Sequence, residues 1–253
     1  QKTAYEIKEC DWSSDVCSSD LRGLAIDTAG NLYIADYGNK RLLKVPAGSS
    51  HAITMAGVPG NGSLSDTTFH DIMDVKLDSH GNVYALDEGY NRVMKFPNSS
   101  VLGTPGIVVA GDSAGHYGNA DSLVYGAHSL YIDNSDNIYI VDAWNHRVQK
   151  FTGGSKHAVT VAGSAIPNSG MADSLLYYPS SVLVDAAGNL IVADAGNARP
   201  HDHHVEDFAV VHALAALRAR VVLDDELVAG LLLVLGGDEV EARLDRAAGQ
   251  HFQ

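Results

Sequence analysis

The sequence predicts an all-β protein, an incomplete β-propeller of four-stranded antiparallel blades, and two observations predict it. Four segments carry one pattern, in which two aspartates lie nine positions apart: Asp27/Asp36, Asp78/Asp87, Asp133/Asp142 and Asp185/Asp194. The step from one copy to the next is 51, 55 and 52 residues, so all variation in length lies outside the nine-residue motif. A unit of about fifty residues, repeated with loops of variable length, is typical of propeller blades.

Each complete copy supplies four strand-like segments in a fixed order. The first ends at the first Asp, and a turn follows in which Gly, or Asp136 in the third copy, can adopt the left-handed conformation of a hairpin. The second segment is apolar at consecutive positions, which indicates a strand that is covered on both faces. The third follows an Arg, and the fourth ends in Ala-Gly. The predicted blades are residues 22–57, 72–111 and 127–163, with half of a fourth at 179–199.

A short motif after the second Asp identifies the repeat. It reads Asp-Tyr-Gly-Asn-Lys-Arg at 36–41 and Asp-Ala-Trp-Asn-His-Arg at 142–147. With the preceding Gly-Asn-Leu-Tyr-Ile-Ala-Asp stretch, and above all Asn145-His146-Arg147, residues 22–199 resemble NHL repeats, which form β-propellers. Two positions depart from the pattern, because Tyr90 stands in place of Asn and Asp136 in place of Gly.

Residues that recur in every blade cannot mark one unique site, so we interpret the repeated acids and bases as structural. They are the eight aspartates above and the arginines Arg41, Arg92, Arg147 and Arg199. The Asp that closes the second strand is expected to accept hydrogen bonds from the turn after it. The Arg is expected to pair with an acidic group or with backbone carbonyls.

Both ends of the chain look foreign to the repeat. Residues 1–21 resemble a translated sequencing-library adapter and are expected to be unstructured; they hold Cys10 and Cys17, the only cysteines, so the remainder has no thiol chemistry. The tail, residues 200–253, lacks Lys, Ser, Thr, Asn, Tyr, Ile and Met, which indicates an unrelated or mis-joined segment. Its composition favours helix at residues 209–220 and 227–235. We therefore expect a chimeric sequence that carries a fragment of a longer propeller.

Charge gives little sign of a nucleic-acid partner. The formal net charge is −14, and residues 22–199 hold eleven basic and sixteen acidic side chains without a basic cluster. No apolar run reaches the roughly eighteen residues that cross a bilayer. An extracellular or cell-surface location is our expectation, with glycosylation-type triplets at 61–63 and 98–100 in predicted loops.

Residues that break the repeat are the candidates for binding. Many lie in or near the loops that join one blade to the next, at 58–71, 112–126 and 164–179, and in propellers such loops line one mouth of the central channel. Within two of these loops, Leu123 and Leu175 are expected to pack beneath the blade junction. The candidate binding residues are His70, His116, Tyr117, His128, Trp144 and His146.

These residues favour a non-catalytic scaffold that binds a protein or glycan, since no unrepeated set forms a nucleophile–base pair or a metal site. We predict no catalytic residue, metal or cofactor. The alternative is a propeller enzyme whose site lies mostly in absent blades. It would be either a calcium-dependent lactonase or strictosidine-synthase-like hydrolase, suggested only by Glu88, or a zinc-dependent amidating lyase. The segment around His128 resembles the one that presents a zinc-binding His in that lyase. Arg22, Met73 and Ser180 occupy the equivalent positions, whereas catalytic zinc needs three protein ligands.

Overall fold

A computed structural model describes residues 21–172, 174–185, 187–197 and the backbone of 210–213. Predictions made for residues 1–20, for Arg199 and for most of the tail lie outside these residues. Regular structure in the described part is β-strand, apart from three single-turn 3₁₀ helices at 88–90, 143–145 and 195–197. No helix among these residues is long and apolar enough to span a bilayer. The chain forms two compact units, the first ending at His116 and the second beginning at Tyr117.

The first unit contains two four-stranded antiparallel sheets, and in each sheet the strands neighbour one another in chain order. The first sheet consists of β1 (Leu21–Ile26), β2 (Leu32–Asp36), β3 (Arg41–Val45) and β4 (Ile53–Gly57). The second consists of β5 (Ile72–Leu77), β6 (Val83–Asp87), β7 (Arg92–Phe96) and β8 (Ile107–Gly111).

The second unit repeats this arrangement. Its first sheet consists of β9 (Ala127–Ile132), β10 (Ile138–Asp142), β11 (Arg147–Phe151) and β12 (Ala158–Gly163). The other sheet has three strands, β13 (Ser181–Val184), β14 (Leu190–Ala193) and β15 (Val210–Ala213). These sheets are blades of a β-propeller, as the repeat predicts.

The strand β15 lies where the composition favoured helix, at residues 209–220, and the fourth blade remains incomplete with three strands. Residues 210–213 pair antiparallel with residues 190–193, so the fourth sheet has a third strand. Two consecutive valines, Val210 and Val211, have high strand preference. They pair with the edge of β14 that β13 leaves open, where backbone donors and acceptors are available to a further strand.

Within each unit the blades pack face to face through apolar side chains. In the first unit, Tyr33 and Ala35 of β2 share one core with Ile72 and Val75 of β5. All five residues of β6 are buried, as expected for a strand that is covered on both faces. The second unit has a matching core, formed by Tyr139, Val141, Val148, Val182, Leu190 and Val192 among others.

The loops before β5, β9 and β13 each contribute a buried apolar side chain that precedes a donor to a buried aspartate. These residues are Phe69, Val124 and Leu176. The expectation that Leu123 and Leu175 would fill this role was wrong, because both are only half-buried. The backbone N–H of the residue after each buried one donates to a buried aspartate, and this hydrogen bond fixes which loop side chain faces the core.

Candidate functional site

A buried ion pair joins the second and third strands of each complete blade. Antiparallel pairing places the Asp that ends the second strand directly opposite the Arg that begins the third. The residue before each Arg, which is Lys40, Asn91 or His146, has a positive φ of 57°, 49° or 56° and turns the chain back toward its partner strand. The pairs, with their Nε to Oδ2 distances, are Asp36–Arg41 (2.6 Å), Asp87–Arg92 (3.2 Å) and Asp142–Arg147 (2.7 Å).

The third blade shows how far this pair reaches. Arg147 is 2% exposed. Its guanidinium donates to Asp142 and also to the carbonyl oxygens of Asn119, Ala120, Leu123 and Ala165. A single buried cation therefore fastens the loops on both sides of the blade to its central hairpin.

Asp142 accepts donors from two directions. We expected donors from the turn that follows, and Asn145 Nδ2 donates to Asp142 from there, at 3.0 Å and 2.9 Å to its two oxygens. A second donor comes from the preceding loop, since the backbone N–H of Tyr125 lies 2.7 Å from Asp142 Oδ1. Burial raises the pKa of Asp142 in spite of these donors and of Arg147. The carboxylate has protein partners on both oxygens.

The first Asp of each motif has a different role, closing the turn between the first two strands. Asp27 Oδ1 accepts the backbone N–H groups of Ala29 and Asn31, while Oδ2 accepts the Asn31 amide and the Tyr33 hydroxyl. The arrangement recurs at Asp78 and Asp133.

Asp78 has a further partner, because Lys95 Nζ lies 2.9 Å from its Oδ2. Burial would raise the pKa of Asp78, but hydrogen bonds from Asn82 and Lys95 prevail and lower it to about 2. The carboxylate is therefore ionised throughout the physiological range of pH.

The second blade departs from the motif at Tyr90, and the structure explains why the departure is tolerated. In the third and fourth blades the equivalent Asn145 and Asn197 donate to loop carbonyls of Gly118 and Gly170. Tyr90 donates its hydroxyl to the corresponding carbonyl, that of Gly62, at 2.5 Å. A longer side chain thus makes the same connection between loop and blade.

The third blade departs from the repeat at Trp144, where the other copies have Gly38, Gly89 and Gly196. A Cβ added at Gly89 would collide with the ring of His70, and one at Gly196 would collide with Tyr177. In the third blade the glycine lies in the loop instead: Gly126 has φ +54°, and a Cβ there would collide with the Trp144 indole. Because three blades fold with glycine at this position, packing alone does not require a tryptophan, and Trp144 is 48% exposed.

Six aromatic side chains form a continuous surface around Trp144, which we call the aromatic platform. Tyr117 stacks on Tyr125 with centroids 4.5 Å apart, and Tyr125 lies 5.1 Å from Trp144. Trp144 meets Tyr178 edge to face at 6.1 Å. The remaining members are His146 and Tyr177, 4.7 Å and 4.9 Å from Tyr178. Such spacings are those of favourable ring pairs.

The platform is held in place by its backbone. Tyr178 has φ +47°, which is uncommon for a residue with a bulky side chain. Its N–H donates to His146 Nδ1 at 3.1 Å, which requires that nitrogen to be unprotonated. Burial lowers the pKa of His146, against the opposing influence of Asp194 and Asp142, and so favours the neutral ring.

The polar groups of the platform are available to a ligand. Tyrosines within the blades use their hydroxyls internally, as Tyr33, Tyr84 and Tyr139 do toward aspartates. Among the described residues, by contrast, no hydrogen-bond partner exists for Trp144 Nε1 or for the hydroxyls of Tyr117, Tyr125, Tyr177 and Tyr178. Exposed ring faces and unpartnered polar tips therefore occur on the same surface.

The structure gathers three of the six candidate binding residues on this surface, namely Tyr117, Trp144 and His146. His70 and His116 lie in the other unit, where they interact with Asp71 and Asp112. His128 is half-buried on β9. The sequence interpretation missed Tyr125, Tyr177 and Tyr178 as members of the site, although their position in the inter-blade loops is a signal that could have included them.

Comparison with known proteins agrees with the repeat. Residues 125–151 match the family model of the NHL repeat. No protein of curated function matches the sequence significantly.

Several solved structures share the fold at low sequence identity. An auxiliary nutrient-binding protein from Bacteroides ovatus aligns with a TM-score of 0.54 and 15% identity, covering 70% of this chain and 46% of its own. A streptogramin B lyase gives 0.50 and 14%, covering 73% and 51%, and a putative gluconolactonase gives 0.51 and 11%, covering 81% and 62%. The chain thus spans about half the length of the first two. Residues 125–151 are an NHL repeat, and the sheets of the described residues are β-propeller blades.

Proposed function

We propose that the chain is a non-catalytic binding module and that its ligand, a protein or a glycan, is bound by the aromatic platform. The observation that supports this is Trp144, a half-exposed tryptophan at a position where the other three copies have glycine. Exposing large aromatic rings opposes the hydrophobic effect, so a cluster of them on a surface is a mark of a binding site. Tyrosine and tryptophan suit this role because they combine a large apolar face with a polar edge.

The acids and bases of the blades do not suggest catalysis in the described residues. Asp142 and Arg147 are buried and engaged with each other and with the loops, and the aspartates of the other complete blades are similarly occupied. The enzymatic alternative, a lactonase or a lyase, places its key residues in blades outside this chain. Likeness to a lyase and a gluconolactonase at this level of identity concerns the fold, and the nutrient-binding title belongs to the relative alone.

The experiment is a parallel screen of the full chain on a glycan array and on an array of extracellular proteins. The test variant is Trp144→Gly, which introduces the residue that the other blades carry at this position. The control is Val159→Ala, since Val159 is 66% exposed in the same unit but has no place in the platform. Thermal melts of each variant establish that the fold is retained.

We expect a ligand on one of the arrays whose signal falls at least tenfold with Trp144→Gly and is unchanged with Val159→Ala. Binding that is unchanged by Trp144→Gly, or an absence of binding on both arrays, would contradict the proposal. Turnover of a lactone or an amidated-peptide precursor by this chain would favour the enzymatic alternative instead.

A further inference from the structure

We infer that the ligand of the aromatic platform is a neutral carbohydrate chain, with one sugar ring stacked on Trp144. The inference rests on the proposed function, because it names the class of ligand for the same surface. Three properties of the platform lead to it: the pairing of ring faces with neutral polar groups, the absence of an available cation beside it among the residues that the structure describes, and its rigidity.

The first property is the chemical match to a sugar. A pyranose has a face of C–H bonds, which packs on an aromatic ring, and a rim of hydroxyls, each able to donate and accept a hydrogen bond. The platform offers the complementary pair: Tyr117 and Trp144 are 62% and 48% exposed, and their hydroxyl and Nε1 have no partner among the described residues. Polar groups that would otherwise bind water can bind sugar hydroxyls instead, with little net change in hydrogen-bond free energy.

The second property is charge. An anionic ligand such as a nucleic acid or a sulfated glycan would need cations to neutralise it. Of the cations in the described part of the second unit, Arg147 is buried and directed at Asp142 and the loop carbonyls. Lys150 lies further along β11, over the Tyr139 ring, and Lys156 lies in the turn beyond that strand. The charged groups that act on His146 are Asp194 and Asp142, and Arg147 already pairs with Asp142. Neither carboxylate offers positive charge to an anion, which favours an uncharged ligand.

The third property is rigidity. Gly126 has no Cβ, and the Trp144 indole occupies the place where one would be. Tyr178 is held by its hydrogen bond to His146, and Tyr117 is stacked on Tyr125 with an interplanar angle of only 21°. Rings fixed before the ligand arrives lose little entropy on binding, which matters for weak ligands such as sugars. A protein partner would instead be expected to use charged groups at the rim to fix its register.

The test uses the full chain carrying Trp12→Phe, so that Trp144 is its only tryptophan. Its fluorescence is titrated with neutral hexasaccharides of glucose, mannose, xylose and N-acetylglucosamine, and with oligogalacturonate, heparin fragments and poly(U) as anionic probes. Calorimetry with the same saccharides and anionic probes measures their affinity for the chain. We expect at least one neutral hexasaccharide to shift the Trp144 emission, with an affinity that does not depend on salt and that is weaker for the corresponding disaccharide.

Variants then locate the site. In the chain with Trp12 restored, so that calorimetry is the readout, Trp144→Gly and Tyr178→Ala are expected to weaken binding at least tenfold. Trp144→Phe, which keeps a ring, should stay within a few-fold, and Val159→Ala should have no effect. If Tyr178→Ala lowers the melting temperature strongly, Tyr117→Ala replaces it, because Tyr117 is the most exposed ring of the platform.

The outcomes separate this inference from the proposal on which it rests. A protein ligand that depends on Trp144, with no saccharide bound, leaves the binding module in place and overturns the carbohydrate inference. Preference for heparin or poly(U), lost at high salt, overturns it as well. Absence of any Trp144-dependent ligand overturns both.

Discussion

Replacing Arg147 with methionine should unfold much of the second unit, and the structure allows the loss to be estimated. The substitution keeps an unbranched apolar stem but removes the charge and every donor. Asp142, which is fully buried, is then left without its cation. Removal of one partner from a buried ion pair typically destabilises a protein by about 3–5 kcal/mol. The four loop carbonyls also lose a donor, but they are only partly buried and water can replace it, so we add about 1 kcal/mol for them.

The expected loss is thus about 5 kcal/mol in the free energy of unfolding, which is comparable with the total stability of many domains. The assay is urea unfolding of the chain carrying Trp12→Phe, followed by the fluorescence of Trp144. The matched control on the same strand is Lys150→Met. Lys150 is partly exposed and lies 4.0 Å from Asp133, so its loss should stay below about 1 kcal/mol.

Two further measurements examine the mechanism. In Arg147→Met, protonation of Asp142 removes the unpaired charge. The pKa of Asp142, already raised by burial, should rise further. The difference in free energy of unfolding from the unmodified chain should therefore become smaller as the pH is lowered from about 8 to about 5. In a double-mutant cycle with Asp142→Asn, the two losses should overlap by about 2 kcal/mol or more. A deficit for Arg147→Met below about 1 kcal/mol, or additive losses, would refute the reasoning that this pair fastens the loops to the blade.

Three other predictions concern the platform and the blade turns. Gly126→Ala should lower the free energy of unfolding by more than about 2 kcal/mol, because the added Cβ collides with Trp144. In a Trp144→Gly background the loss should fall to about 1 kcal/mol, the part due to the positive φ. Calorimetric melts with and without Gly126→Ala in each background measure the two losses, and equal losses would contradict the prediction. The pKa of Asp78 is lowered to about 2 in the folded chain, so this carboxylate should contribute about 2 kcal/mol to the free energy of unfolding above pH 4. That contribution should be lost as the pH falls toward 2. NMR titration of the Asp78 carboxyl measures the pKa, and a value near 4 would contradict the prediction. Burial lowers the pKa of His146, and its Nδ1 accepts the N–H of Tyr178 only when the ring is neutral. The affinity for the ligand should therefore decline as the pH falls below about 6.5. An affinity that does not change with pH would argue against a role of His146 in holding the platform.

Much of the fold follows from local sequence. The nine-residue spacing of Asp27 and Asp36 corresponds to the hairpin of β1 and β2, because one Asp caps the turn and the other ends the strand. Each of these contacts lies within a few residues along the chain, so the same local sequence produces the same geometry in every copy. The tail was harder to interpret, since the strand at 210–213 depends on the open edge of β14, a partner nearly twenty residues away in sequence.

The site was less accessible to sequence reasoning. Trp144 and His146 stand out because they break a repeat, and the sequence alone identifies them. Tyr177 and Tyr178 join them only through the packing of one blade on the next, which brings a loop about thirty residues distant against the same turn. The backbone N–H that Tyr125 donates to Asp142 is likewise invisible in the sequence, since every residue except proline has that donor.

The sequence by itself determined the blade: its four strands, its turns and the recurrence of an acid and a base at fixed spacing, all set by hydrogen bonds between near neighbours. Only the tertiary structure decided which departures from the repeat form one surface. The ring contact of Tyr125 with Trp144, and the hydrogen bonds from Arg147 to the carbonyls of Asn119 and Ala165, link residues that are far apart along the chain. Such links are chosen by packing of the loops against the blade, which no local pattern encodes.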